Sequence, residues 1–425
     1  MPTTMLFTMI VAFALSISVA VAIGIASLIG AWQANLNFLA VVKEMFGALN
    51  KFPLAAIPFF ILAGNLMETG GISARLVEFA KSIVGGVQGG LAATCVLTCM
   101  IFAAVSGSSV ATTFAIGAIL IPALIKHGYP VNYAASLQAT SAELGVIIPP
   151  SIPMILYGVS AEVSIGELFI AGVGPGLLIG GALMVFVIVY ARWKGYGKGD
   201  HEGRLPFWVA TRKAAFALLM PVIILGGIYG GVFTPTEASV VAVFYALIVG
   251  VVVYRETKVS DLPRVLRKSV VSSAVIMFII ANAGLFSYLI TRAGVPALIG
   301  ATLVEWLQSP AVFLLGVNLA LFLIGMFIET SASIIVLAPI LAPVAQHFGI
   351  DPVHFGVIMV VNLALGMITP PFGVNLFAAC TVARVPLEAV VTRLIPFVLV
   401  IFACLMLITY FPLISIGLRD LVYAR

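Results

Sequence analysis

The chain alternates long apolar runs with short polar joints, and the runs have the length of membrane-crossing helices. A spanning helix needs about 20 mostly apolar residues, and such runs fall at 5–30, 52–67, 131–158, 165–192, 214–232, 237–254, 270–291, 353–382 and 387–417. Two further apolar segments, 91–128 and 312–349, each divide around a small polar tip. Their arms, of roughly 15 residues, are short for a crossing. They predict re-entrant hairpins with tips at Ser106 to Ser109 and Glu329 to Ser331. Near mid-membrane, such irregular backbone is tolerated only beside protein or water.

Two of the crossing runs are interrupted. "ELGVIIPPSIP", 143–153, and "ALGMITPPFGV", 364–374, both contain the order Leu, Gly, X, Ile, X, Pro, Pro. Proline lacks an amide donor and clashes with the carbonyl four residues back, so each pair ends one half-helix and starts another. The offset that carries Pro149 onto Pro370 also pairs Pro122 with Pro343, Gly128 with Gly349, Gly145 with Gly366, Glu167 with Glu388 and Pro175 with Pro396. Chance matching of apolar residues would not select Pro, Gly and Glu. Each half therefore reads as hairpin, broken helix, spanning helix.

Composition narrows the class. The chain is 62% hydrophobic and 9% charged, with a mean hydropathy of +1.21, which predicts an all-α polytopic membrane protein. The first run lacks a basic leader and a clear cleavage site, so it is expected to stay as a span. The net charge of +5 does not point to nucleic acid, because about half of the Lys and Arg sit in two loops, 192–213 and 255–268. The positive-inside rule puts both loops in the cytoplasm, joined by a helical hairpin turning at "TPTE", 234–237.

Counting from these anchors, the first broken helix runs outward and the second inward, with the first hairpin entering from the cytoplasm and the second from outside. The expectation is two inverted halves, 1–192 and 214–425, joined by the cytoplasmic loop 193–213. Lys43, Lys51, Arg419 and Arg425 fall on the outer side of this count. Inverted repeats with discontinuous helices are the architecture of secondary transporters, whose sites lie at the midplane where the halves meet.

The breaks suggest a chemistry. Carbonyls freed by proline pairs are hard oxygen ligands for sodium, and the half-helices that follow present a positive N-terminal dipole to an anion. The first candidate sodium set is Ser106, Ser109, Gly145, Ile148 and Pro150; the second is Thr330, Gly366, Thr369 and Pro371. Ser108, Glu329, Ser331, Asn362 and Asn375 are candidates for substrate contact. The competing roles are back-bonding of hydroxyls to the preceding turn and, for Glu329, a helix cap. Glu143 is an intramembrane carboxylate, costly enough to suggest substrate, proton or anchoring duty. No Lys or Arg lies within the broken helices before Val382, so a bound carboxylate would rely on helix termini, hydroxyls and sodium.

Other residues add little. His127, His347 and His354 read as interfacial, Glu237 as a helix start, and Cys95, Cys99, Cys380 and Cys404 as small core residues. No HExxH, nucleophile elbow or catalytic His and Cys pair is present, so an enzyme is not expected. Polar residues gather at two points and not in rings, which disfavours a channel.

The motifs "FPLAAIPFFILAGNLM" (52–67), "SGSSVATT" (106–113), "IIPPSIPMILYG" (147–158), "GGVFTPTEAS" (230–239) and "NLALGMITPPFGV" (362–374) carry a resemblance. In that order and over nearly the whole chain, the sequence resembles the large membrane subunit, DctM, of tripartite ATP-independent periplasmic (TRAP) transporters. The resemblance implies sodium-driven uptake of an organic acid, such as a dicarboxylate or sialic acid, across the bacterial inner membrane. It also implies an elevator motion of the hairpin and broken-helix domain, two or more sodium sites, a separate small four-helix membrane subunit and a periplasmic substrate-binding protein. By motif match, the sodium sites fall on Ser106, Ser109, Gly145, Thr330, Gly366 and Thr369. A stand-alone sodium/carboxylate symporter is the alternative.

Overall fold

The structure is a computed structural model that describes residues 1–15, 17–198, 204–307 and 309–423. Residues 199–203 of the first basic loop and Arg425 therefore lie outside the described residues. Among those described, the chain is helical and has no strand. Among the described residues, eight helices are long and apolar enough to cross a membrane, or nine with one bent pair counted as a span; the eight include 109–126 and 330–347, the second arms of the two hairpins, which are longer than the sequence reading expected. Their outer faces carry large exposed apolar side chains, such as Leu177 (59%), Val185 (64%), Phe244 (62%) and Leu399 (61%), a surface suited to lipid rather than water.

The first run is not one crossing. It forms two helices, α1 (Pro2–Ala14) and α2 (Val19–Gln33), which fold back on each other. A closing turn sends the Ile17 N–H to the Ala12 carbonyl (3.0 Å). Met5 then packs so tightly on Gly30 that a Cβ there would meet its sulfur at 2.4 Å. The hydrophobic pattern shows no break at this point, because both helices are apolar all round. Two short helices flank the next span, α4 (Ala56–Thr69): α3 (Phe38–Leu49), capped by Asn37 on the Ala40 N–H (2.7 Å), precedes it, and α5 (Ile72–Val84) follows it.

The first hairpin is α6 (Gly90–Ser106) and α7 (Ser109–Lys126). The first broken helix is α8 (Val131–Ala142) with α9 (Leu144–Ile147), then α10 (Ile152–Ser160), bent by 43° at the proline pair. Then α11 (Ile165–Lys194) crosses back, followed by α12 (Phe207–Tyr229) and α13 (Pro235–Ile248). The predicted helix start at "TPTE" is a capping box, with Thr234 bonding the Glu237 N–H (3.3 Å) and Glu237 returning to the Thr234 N–H (2.8 Å). The second half continues with α14 (Leu262–Arg292) and α15 (Val295–Leu307). Its hairpin is α16 (Pro310–Gly325) and α17 (Thr330–His347), and its broken helix is α18 (Pro352–Met367) and α19 (Val374–Ala383). The last predicted span stops early: α20 (Leu387–Tyr410) ends before Pro412, and α21 (Leu413–Val422) is a separate short helix.

Helix positions and packing partners recur at the offset of the proline pairs. It carries both ends of α7 onto those of α17, and the start of α8 onto the start of α18. α10 packs on α17 while α19 packs on α7, α11 packs on α18 while α20 packs on α8, and α4 packs on α13 while α2 packs on α14. The half-helix after each break, α10 or α19, thus rests on the hairpin of the other half, while α8 and α18 before the breaks pack on their own hairpins. This exchange brings both breaks and both tips into one core.

The C-terminal end holds a buried arginine. Arg419, 5% exposed, bonds Asp351 (2.8 Å) and Asp420 (2.6 Å) and comes within 3.9 Å of Glu167. Its charge is neutralised locally, which removes one of the apparent exceptions to the topogenic count. His354 departs from its expected interfacial place: it is 2% exposed, with its ring nitrogens at Ser415 Oγ (2.6 Å) and the Thr409 carbonyl (3.2 Å). α21 folds over it, which no local pattern around His354 could foretell. The four cysteines are buried and free, as core residues should be.

Candidate ion and substrate site

At the first tip, α6 ends on Gly107, whose φ of +61° is the left-handed turn that glycine adopts without a side-chain clash. Ser108 then opens α7, accepting from the Ala111 N–H (3.4 Å). The tip lies directly against the break: the Ile152 N–H donates to the Gly107 carbonyl (3.3 Å), and a Cβ on Gly107 would stand 2.9 Å from the Pro150 carbonyl oxygen. Opposite, a Cβ on Gly145 would fall 2.7 Å from Thr112 Oγ1 and 2.8 Å from the Ser108 carbonyl oxygen. Glycine at both points lets backbone meet backbone.

This close approach gathers oxygens. Ser106 Oγ lies 3.0 Å from Thr112 Oγ1 and 3.4 Å from the Ser108 carbonyl, to which the Thr112 hydroxyl donates at 2.8 Å. Ser106, Ser109 and Gly145 are all buried here, and Ile148 is extended and turned onto Gly176 of α11. Ser151 restarts the helix, donating to the Val146 carbonyl and accepting from the Met154 N–H. Thr112 was not among the sequence candidates. Thr112 lies one turn after Ser108 on the same face of α7, a spacing that by itself does not separate a tip hydroxyl from one bonded to its own preceding turn.

The second tip repeats the close approach with different detail. A Cβ on Gly366 would be 2.4 Å from the Gly325 carbonyl carbon, and the Phe372 N–H donates to the Met326 carbonyl (3.2 Å). Thr330 Oγ1 lies 2.9 Å from the Met367 sulfur, and the Thr369 hydroxyl bonds back to the Leu365 carbonyl (2.8 Å). Pro371 lies within the break, where its bond to Pro370 is cis, like that between Pro149 and Pro150. Glu329 caps α17, accepting from the Ala332 N–H (3.2 Å) and the Ser331 hydroxyl (2.8 Å). Ser333 occupies the repeat position equivalent to Thr112, with a buried hydroxyl that has no hydrogen-bond partner.

The remaining candidates sit deeper. Asn362 donates to the carbonyl (2.9 Å) and side-chain oxygen (2.7 Å) of Asn318, tying α18 to α16, and its own Oδ1 has no partner. Asn375 joins the halves: it donates to the Ala139 carbonyl (2.9 Å) and accepts from the Thr113 hydroxyl. Glu143 follows Ala139 by one turn, and its two carboxylate oxygens are buried with no hydrogen-bond partner.

A cavity of about 320 Å³ opens beside the first tip, lined by Ser106, Ser108 and Phe114 of the hairpin, Asn65 of α4, and Lys268 and Ser272 of α14. Neither Asn362 nor Asn375 lines it. The N-terminus of α7 faces it, a polarity that favours an anion. Its size falls in the range of small-molecule sites.

Comparison with known proteins agrees with this architecture. The sequence signature of the family described as the tripartite ATP-independent periplasmic transporter, DctM component, matches residues 5–414. The chain is 45% identical to the C4-dicarboxylate TRAP transporter large permease protein DctM of Pseudomonas aeruginosa, covering 89% of this chain and 88% of that protein. It is 36% identical to the sialic acid TRAP transporter large permease protein SiaM of Vibrio cholerae, covering 94% and 93%. It is also 42% identical to the isethionate TRAP transporter permease protein DctMQ of Oleidesulfovibrio alaskensis, covering 92% of this chain but 61% of that longer protein. Among solved structures, the YdaH transporter of Alcanivorax borkumensis shares the fold with a TM-score of 0.65 at 16% identity, covering 89% and 88% of the two chains. MtrF of Neisseria gonorrhoeae shares it with a TM-score of 0.62 at 14% identity, covering 88% and 84%. The chain belongs to the DctM family, the large multi-pass permease subunits of bacterial TRAP transporters, which are carriers and not enzymes.

Proposed function

We propose that this permease imports a small organic anion coupled to sodium, binding the ions where each hairpin tip meets a broken helix. The observation that carries the reading is the first tip: two hydroxyls and a carbonyl converge within 2.8–3.4 Å beside the unwound Pro150 carbonyl. Uncharged hard oxygens at this density suit a small monovalent cation in the protein interior. The second site centres on Thr330, Gly366, Thr369 and Pro371, with Ser333 added for its unpaired hydroxyl. Sodium completes each tip, so the anion joins a cavity whose charge is already favourable, and empty carriers gain little by closing. Ser108 contacts that anion directly; Glu329, which caps α17, and Ser331, which donates to it, contribute from the second tip.

The reciprocal packing of half-helices on opposite hairpins fits two inverted halves, 1–192 and 214–425, whose hairpins and broken helices move together against a scaffold built around α2, α4, α13 and α14. A periplasmic binding protein delivers the anion, and a small membrane subunit flanks the scaffold in the bacterial inner membrane. The named cargoes of the relatives are C4-dicarboxylates, sialic acid and isethionate, all acids, and an organic acid is the cargo proposed here.

The test is reconstitution of the permease in liposomes with the small subunit and binding protein, offering succinate, isethionate and sialic acid in turn. Accumulation of one of them that requires both the binding protein and external sodium supports the reading. Accumulation of none, or accumulation unchanged by potassium replacement, overturns it.

A further inference from the structure

The cavity at the first tip has a counterpart. A second cavity, about 380 Å³, lies between α3, the later part of α14, α10 and α17. The two are related by the repeat: Gly47 and Lys51 line one, and their repeat equivalents, Lys268 and Ser272, line the other. Each cavity thus receives one lysine from the scaffold, at alternate members of the same pair of positions.

The two lysines are differently engaged. Lys51 donates to the Val159 carbonyl at the end of α10 (3.3 Å), and its cavity is also lined by Glu44 and Glu162. That mouth is acidic and its lysine is occupied. Lys268 is the one charged residue among those described along its own cavity wall, across from Ser106 and Ser108. Its ammonium is held from outside the cavity by Glu68 of α4, at 2.7 Å. An ammonium has three donors, so this pair leaves two free to turn inward. Asn65, beside Glu68 on α4, is fixed by donating to Ser269 Oγ (2.9 Å), which keeps the polar wall ordered next to the lysine.

We propose that Lys268 is the cationic contact for an organic anion, a carboxylate or sulfonate, held in the cavity beneath the first hairpin tip, with Glu68 as the exchangeable counter-ion that the anion displaces or shares. The proposal rests on the transport reading above. It also answers a difficulty in the sequence, where the broken helices supply no basic residue: the cation comes from α14 of the scaffold. Because the tip belongs to the moving part, the lysine meets the anion only when the tip faces α14. On the topogenic count, residue 268 lies at the cytoplasmic end of that helix, so the contact acts on the release side of the cycle.

The experiment measures binding of succinate, isethionate and sialic acid to the purified permease with its small subunit, by calorimetry at fixed sodium. With Lys268→Gln, affinity for the anion that wild type binds should fall about tenfold, the loss of one charge-assisted hydrogen bond. Lys268→Arg should stay within about threefold of wild type, and Glu68→Gln should bind about threefold tighter as the competitor is removed. Sodium affinity measured by the same method should not move in any variant, which separates the lysine's role from a general loss of structure. Unchanged anion affinity in both Lys268→Gln and Glu68→Gln overturns the lysine assignment while leaving transport intact. Failure of wild type to bind any of the three anions overturns the transport reading as well.

Discussion

Thr112 shows how a single hydroxyl can hold a tip together. It bonds the Ser108 carbonyl at 2.8 Å, touches Ser106 Oγ at 3.0 Å and lies beside Gly145. Thr112→Val keeps the shape and removes the oxygen, so the half-saturating sodium concentration for uptake should rise about tenfold, whereas Thr112→Ser should stay near wild type. Equal sodium dependence in both variants would remove Thr112 from the site. Gly366 makes the complementary steric prediction. Its missing Cβ would overlap the Gly325 carbonyl carbon at 2.4 Å, so Gly366→Ala should lower thermal stability by about 1–3 kcal/mol, read as a fall in melting temperature. At this scale the sequence marked Ser106, Gly145 and Gly366 because proline pairs and small residues announce unwound backbone. It did not mark Thr112 or Ser333, because a hydroxyl on a regular apolar helix looks the same whether it faces a tip or its own preceding turn.

Elements are set by where charge and proline stop a helix. α21 is tied to the starts of α11 and α18 in part by Arg419, whose side chain is 6% exposed against 30% for Asp351 and 36% for Asp420. Arg419→Ala should loosen that helix by about 2 kcal/mol, less than for a fully buried pair because the acids reach solvent. Protection of α21 amides in hydrogen exchange is the readout. Burial works against the Asp351 charge, but the bonds from Arg419 and from the N–H groups of His354 and Val353 outweigh it and hold the carboxyl below its ordinary range. A depressed folded pKa gives stability that is full above about pH 4, the unfolded value. It is lost as the pH falls through the lower folded value, so the protection of α21 amides, corrected for intrinsic exchange rates, should be weaker at pH 3 than at pH 6. Strong start signals such as "TPTE" were legible in the sequence, as was the division of 91–128 and 312–349 into two helices around a polar tip. The fold-back of α1 on α2 was not, since two apolar helices in series have the same hydropathy as one long span.

At the scale of the whole molecule, one duplicated plan explains most of the architecture. The common offset was readable from Pro, Gly and Glu alone, and the helix positions and reciprocal packing of α10 on α17 and α19 on α7 follow it. What the repeat could not foretell was asymmetry: Lys51 bonds a backbone carbonyl in an acidic mouth, whereas Lys268 lines a cavity with no other charge among the described residues and pairs with Glu68 of the other half. Those differences arise from side chains meeting across the two halves, which no single segment records. We propose that each repeat contributes one sodium site to the same transport event. The direct test is simultaneous measurement of labelled sodium and labelled substrate influx into liposomes containing the complete reconstituted system. At least two sodium ions should enter per organic anion, falling toward one when Thr112→Val disables the first tip; anion influx with no accompanying sodium, or a ratio of one in wild type, would rule out two sites acting in one transport event.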